Sequence, residues 1–86
     1  MNWPDARLDS IHTREDLGLF LVELANRLRA GEVRLENPSS VDFINAAGRW
    51  TKSMDGFFQN IMHEPVPQDP DWALIAAIFS AAIIYE

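Results

Sequence analysis

The chain has 86 residues, 48% of them hydrophobic, a composition typical of one small globular domain and unlike that of a disordered segment. It has no cysteine, which excludes a disulfide framework, a thiolate zinc site and a cysteine nucleophile. The absence of cysteine, and an N-terminus without the basic and apolar regions of a signal peptide, favour a cytoplasmic protein. The formal net charge is −6.

Residues 1–12 are predicted to form an irregular lead-in, which Trp3-Pro4 anchors to the body of the protein. The first helix is predicted over residues 13–30, with the Thr13 hydroxyl as its N-cap. Gly31 is placed to end this helix. Five apolar residues recur at helical spacing and predict its buried face: Leu17, Phe20, Leu21, Leu24 and Leu28.

A second helix is predicted over residues 40–55, with Ser39 or Ser40 as its cap. Gly48 lies inside it, where it is expected to permit the close approach of another helix. The helix is expected to weaken near Asp55-Gly56, and a short helical element follows over residues 57–62. The apolar stripe of the second helix contains Val41, Phe43, Ile44, Ala47, Trp50 and Met54.

Prolines dominate the next segment, so residues 63–69 are predicted to form a loop without regular helix. The third helix is predicted over residues 70–85, with Asp69 as N-cap and Pro70 as its first residue. It is apolar on two sides. Trp72, Ile75, Phe79 and Ala82 line one of them, and Leu74, Ile78, Ala81 and Tyr85 line the other.

The C-terminal helix determines the predicted fold. It is too short to span a bilayer, which takes about 20 apolar residues, and a helix that is apolar around its circumference is normally surrounded by protein. The fold class is therefore predicted to be all-α: a small bundle of three main helices with a short fourth element and the C-terminal helix in the centre. Either the lead-in and residues 57–62 cover its second side, or a second copy does. We expect intramolecular cover, and a monomer or weak homodimer.

Several short motifs occur in a fixed order along the chain. They are Arg14-Glu15-Asp16-Leu17, Phe20-Leu21, Glu36-Asn37, Phe43-Ile44, Trp50, Met54-Asp55-Gly56-Phe57-Phe58-Gln59-Asn60, Pro65-Val66-Pro67, Pro70-Asp71-Trp72 and Tyr85-Glu86. In this order they resemble a small bacterial family of single-domain, all-helical proteins of unknown function. The resemblance covers roughly residues 10 to 86. It implies a helical fold and a bacterial, cytoplasmic setting, and it implies no activity.

Polar and aromatic residues are densest where the second helix ends. Two interpretations remain open for them. They form an interaction patch, because rigid aromatic side chains with a few polar groups are typical of protein interfaces. Alternatively, the aromatic residues fill the core and the polar residues satisfy the helix end. The candidate patch consists of Trp50, Asp55, Phe57, Phe58, Asn60 and His63.

No residue cluster predicts chemistry. His63 and Glu64 are adjacent and match no metal-ligand spacing, even with Asp55 or His12 added. The serines lack the setting of a nucleophile, and the four isolated glycines form no phosphate-binding loop. The sequence therefore predicts no catalytic, cofactor-binding or metal-binding residue, and we expect a protein that is not an enzyme.

Charge is unevenly distributed along the chain. All seven basic residues lie in the first 52 positions, whereas the remaining residues contain five acids and no base. Such a protein repels phosphate groups, so neither a nucleic acid nor an anionic membrane is an expected partner. A basic protein partner is electrostatically allowed. Alternatively, the negative charge only keeps a small cytoplasmic protein soluble. The sequence therefore favours a protein-binding domain, in one version an immunity- or antitoxin-like inhibitor of a basic effector. The alternative is a structural homodimer without a separate binding activity.

Overall fold

The computed structural model describes residues 3–84, and within that range all regular secondary structure is helical, as the sequence predicts. A π-helical turn, Phe58–Met62, directly continues the helix that ends at Phe57. No strand occurs in residues 3–84. The helices are α1 (Ala6–Asp9), α2 (Arg14–Arg29), α3 (Ser40–Phe57) and α4 (Trp72–Ile84).

Helix α4 lies at the centre of the fold and packs against α1, α2 and α3. This confirms the predicted central position of the C-terminal helix. Small side chains fill much of the interface, and they let the neighbouring helices approach closely enough to exclude water. The buried residues of α4 are Ala73, Leu74, Ala76, Ala77, Ala82 and Ile83.

The segment that connects α2 and α3 forms hydrogen bonds to the C-terminal end of α4. The backbone N–H of Glu36 donates to the carbonyl of Ile83 over 2.8 Å. The side-chain amide of Asn37 donates to the carbonyl of Ala82 over 3.0 Å. The last carbonyls of a helix have no partner within that helix, so these two contacts satisfy groups that α4 itself cannot.

The N-terminal segment is more ordered than the predicted irregular lead-in. The prediction is wrong over Ala6–Asp9, where α1 forms with the Asp5 carboxylate as its N-cap. Trp3 is buried, in agreement with its predicted role as an anchor, and Leu8 and Ile11 are buried with it. Because α1 packs on α4, this segment supplies part of the intramolecular cover that the C-terminal helix requires.

The caps predicted for the two long helices are present. Thr13 and Asp16 form a capping box at the start of α2, in which each side chain accepts a hydrogen bond from the other residue's backbone. At the start of α3, the Ser39 hydroxyl accepts the N–H of Asp42 over 3.0 Å. Gly31 follows the end of α2 with a φ of 79°, a left-handed conformation that favours glycine.

Helix α3 does not weaken near Asp55-Gly56, so that prediction is wrong. It continues to Phe57 and then widens into the π-helical turn, which packs on α3. His63 ends the turn in a left-handed conformation with a φ of 56°, and the Glu64 N–H returns to the carbonyl of Phe58 over 3.0 Å. Gly48 also differs from its prediction, because no other part of the structure approaches it closely.

Helix α4 begins two residues later than predicted. Asp71 and not Asp69 acts as the cap, since its Oδ1 accepts the N–H of Leu74 over 2.7 Å. Pro70 consequently precedes the helix, which begins at Trp72. Tyr85, predicted as the last residue of this helix and as part of its second apolar side, lies outside the described residues.

The capping box leads to a prediction about pH. The backbone N–H of His12, together with the hydroxyl and N–H of Thr13, lowers the pKa of Asp16. A carboxyl group with a lowered pKa stabilises the folded state above its unfolded pKa of about 3.9, and that stabilisation disappears as the pH falls through the folded value. We expect the free energy of unfolding to fall more between about pH 6 and pH 3 in the wild type than in Asp16→Asn.

Asparagine keeps an oxygen acceptor at the same position, so the comparison isolates the charge of the carboxylate. Denaturant titrations of both proteins at the two pH values measure the difference. Equal pH dependence in the two proteins would show that Asp16 contributes nothing through its ionisation.

Candidate functional site

The structure separates the candidate patch into a packed part and an exposed part. Phe58 is completely buried, and Trp50 and Phe57 are half-buried against the hydrophobic core. The polar members, Asp55, Asn60 and His63, are exposed. The aromatic residues therefore fill the core, as the second interpretation states.

Trp3, which the sequence analysis did not assign to this cluster, completes it. The Trp3 ring lies 5.8 Å from Phe58 in an edge-on arrangement and 6.2 Å from Phe57 in a stacked one, measured between ring centroids. Trp50 lies 5.6 Å from Phe57. Such aromatic pairs contribute beyond the area that they bury, so the cluster ties the N-terminal segment to the end of α3.

A cleft of about 300 Å³ opens beside this cluster, between the N-terminal segment, α3 and α4. The side chains of Asp5 and Ser80, which line it, already have partners. Arg7 donates to Asp5 and so lowers the pKa of that carboxyl, and the Ser80 hydroxyl donates to the carbonyl of Ala76 over 3.0 Å. The cleft offers an apolar surface and no acid–base pair. Its lining residues are Trp3, Pro4, Asp5, Leu8, Trp50, Phe57, Ala77, Ser80, Ala81 and Ile84.

Whether the described side chains could hold a metal ion depends on their distances from one another. Within residues 3–84, no three histidine, aspartate or glutamate side chains are close enough to hold a metal ion together. One carboxylate oxygen of Glu64 is shielded from water and has no hydrogen-bond partner in the described part of the chain. A single such oxygen is too few for a zinc or calcium site, which takes four or more ligands.

A second apolar surface is open to solvent on the other side of α4. Trp72, Ile75 and Phe79 share one face of that helix because they are three and four residues apart. Phe79 contacts Phe43 of α3, with ring centroids 6.0 Å apart, and Phe43 lines a shallow recess together with Ile44. We call these five residues, Trp72, Ile75, Phe79, Phe43 and Ile44, the apolar strip.

Three members of the apolar strip are exposed, whereas Phe43 and Ile75 are partly buried against the core. The Ile44 side chain is 69% exposed, Trp72 40% and Phe79 38%. The sequence places Ile44 in the buried stripe of its helix, and that prediction is wrong, as it is for Val41, which is also exposed. A signal for an open surface was present in α4, because that helix is apolar on two sides, and Trp72 and Phe79 on one of them stay exposed.

The helices found in residues 3–84 are each too short, or too polar, to cross a membrane. No curated protein and no solved structure is similar enough to this chain to match it. A family model covers residues 13–86, which is most of the chain and agrees with the predicted resemblance to a family of unknown function. The chain belongs to the family of unknown function DUF7660.

Proposed function

We propose that this protein acts by binding another protein and not by catalysis. The observation that carries the proposal is the apolar strip. Single exposed apolar side chains are common on protein surfaces, but several of them on two helices that touch through Phe43 and Phe79 are typical of an interface. Leaving several large apolar groups in water forfeits about 1.5–3 kcal/mol for each side chain, and a bound partner recovers part of this.

Charge supports a basic partner. Residues 53–84 contain four acids and no base, and the whole chain has a net charge of −6. An acidic surface accelerates encounter with a basic protein and repels nucleic acids and anionic membranes. The specific form of the proposal is a bacterial, cytoplasmic inhibitor of a basic effector, comparable to an immunity protein or an antitoxin.

The test is affinity capture with the purified protein as bait. A lysate of the source organism is passed over the bait at about 50 mM salt, and the captured protein is identified, purified and titrated against the bait. We expect a basic partner that binds in a fixed ratio and dissociates as salt is added. If no protein is retained at low salt, the proposal fails.

Two matched variants connect binding to the strip. Ile44→Ser removes an exposed apolar side chain inside it, and Leu19→Ser removes one of similar exposure, 61%, on α2. Neither is expected to unfold the protein, because both side chains are mostly in water. Truncating an interface anchor typically costs about 2 kcal/mol, or about 30-fold in affinity. We expect that loss for Ile44→Ser and nearly unchanged binding for Leu19→Ser. If both variants bind the partner equally well, the apolar strip is not the binding surface.

A second candidate function is a structural homodimer. The exposed side chains of Trp72 and Phe79 favour it, because two copies of α4 that pack through this face would bury them. Sedimentation of the purified protein over a range of concentrations distinguishes the candidates. A dimer that Ile44→Ser converts to monomer supports self-association. A monomer at every concentration rules out the homodimer.

A further inference from the structure

One end of the apolar strip combines an exposed aromatic ring with two carboxylates. A shallow pocket of about 330 Å³ is lined by Pro70, Asp71, Trp72 and Ile75. Asp69 lies two residues before Asp71, and both aspartates are exposed. Asp71 is fixed in place, since its Oδ1 caps the first turn of α4 through the N–H of Leu74. The pocket is therefore lined by three apolar residues and one carboxylate, and the carboxylate of Asp69 precedes it directly in the chain.

We propose that an arginine of the partner occupies this pocket and lies over the ring of Trp72 beside the carboxylates of Asp69 and Asp71. The inference rests on the proposed function and names the chemistry that its partner presents. Tryptophan binds cations on its face more strongly than the other aromatic residues do. Arginine suits the pocket better than lysine, because its planar guanidinium stacks on an aromatic ring and still donates to carboxylates at its edge.

The geometry of α4 also sets the spacing of the partner's residues. Trp72 and Phe79 are two helical turns apart, so their side chains emerge about 10 Å from one another. A segment that contacts both carries an arginine and, about 10 Å away, an apolar side chain. That distance corresponds to about seven residues in a helix or about three in an extended strand. The preferred partner segment is therefore basic at one end and apolar at the other.

The probe is a synthetic helical peptide with one arginine and a leucine seven residues further on. Its control is the same peptide with citrulline, a neutral side chain of the same shape, in place of arginine. The readout is the set of NMR signals from the three tryptophan indole N–H groups. We expect the arginine peptide to shift the signal of Trp72 and to leave those of Trp3 and Trp50 unchanged. The citrulline peptide is expected to bind about tenfold more weakly.

Two double variants with equal net charge separate a local site from general attraction. Asp69→Asn with Asp71→Asn removes the pocket's charges, and asparagine at position 71 still caps α4. Glu15→Gln with Glu23→Gln removes two exposed charges from α2, outside the strip. We expect the first pair to weaken peptide binding about tenfold and the second pair less than twofold. Equal weakening by both pairs, or no shift at Trp72, would overturn the inference.

The two proposals can fail independently. If the captured partner binds the Asp69→Asn, Asp71→Asn protein as tightly as the wild type, the arginine pocket is wrong and the proposed function remains. If no partner is captured but the arginine peptide still shifts Trp72, the pocket is correct and the proposed function loses its support.

Discussion

Replacing Phe58 by alanine is expected to bring the folded protein close to its limit of stability. Phe58 is completely buried, and it makes edge-on contacts with both Trp3 and Phe57. Truncating a buried phenylalanine to alanine costs about 3–5 kcal/mol. A domain of this size has a free energy of unfolding of about 4–13 kcal/mol, so the substitution removes a large part of it.

Urea titration followed by far-UV circular dichroism measures this loss. Ile61→Ala is the matched control, because Ile61 lies in the same π-helical turn but is 56% exposed. It is expected to cost less than about 1 kcal/mol. A loss of less than about 1 kcal/mol for both variants would mean that the turn tolerates truncation at either position, and that Phe58 does not hold the aromatic cluster together.

The elements that the sequence predicts well are those with strong local chemistry. Thr13 and Ser39 are cap residues followed by an amphipathic pattern, and Gly31 supplies a left-handed residue where a helix ends. Each of these signals is contained within a few neighbouring residues. The central position of α4 could be predicted equally well from the sequence, because a helix that is apolar on two sides is stable in few other locations.

Other features depend on contacts that no local pattern reveals. Helix α1 has only four residues and is held by packing, so its sequence carries no periodicity to detect. The start of α4 was ambiguous, because Asp69 and Asp71 have the same capping chemistry and only the fold selects between them. The π-helical turn contains Phe58, whose complete burial depends on contacts with distant parts of the chain such as Trp3.

The candidate patch shows the same limit. The sequence groups Trp50, Phe57 and His63 only because they are near one another along the chain. It does not distinguish an aromatic residue that fills a core from one that faces a partner. Conversely, Trp72 and Ile44 are far apart in sequence, and the apolar strip that contains them requires α3 and α4 to be placed side by side through Phe43 and Phe79.

Replacing Trp3 by alanine is the second substitution with a large expected effect. It tests whether the N-terminal segment belongs to the domain. The Trp3 side chain is 6% exposed, and its backbone N–H donates to the carboxylate of Asp9 over 2.9 Å. The segment is also held by Arg7, whose guanidinium lies 5.9 Å from the ring centre of Phe20. We expect Trp3→Ala to lower the free energy of unfolding by about 3 kcal/mol, the lower end for a buried aromatic residue, because a terminal segment can separate from the body locally.

Trp72→Ala is the matched control, since Trp72 is 40% exposed and its truncation is expected to cost about 1 kcal/mol. Far-UV circular dichroism during urea titration suits both variants, because it does not depend on the removed tryptophan. Hydrogen exchange adds a second readout. Loss of protection confined to α1 would mean that Trp3 holds only its own segment, whereas loss that extends into α4 would show that the N-terminal segment stabilises the centre of the fold. Equal costs for the two tryptophans would contradict the assignment of Trp3 to the core.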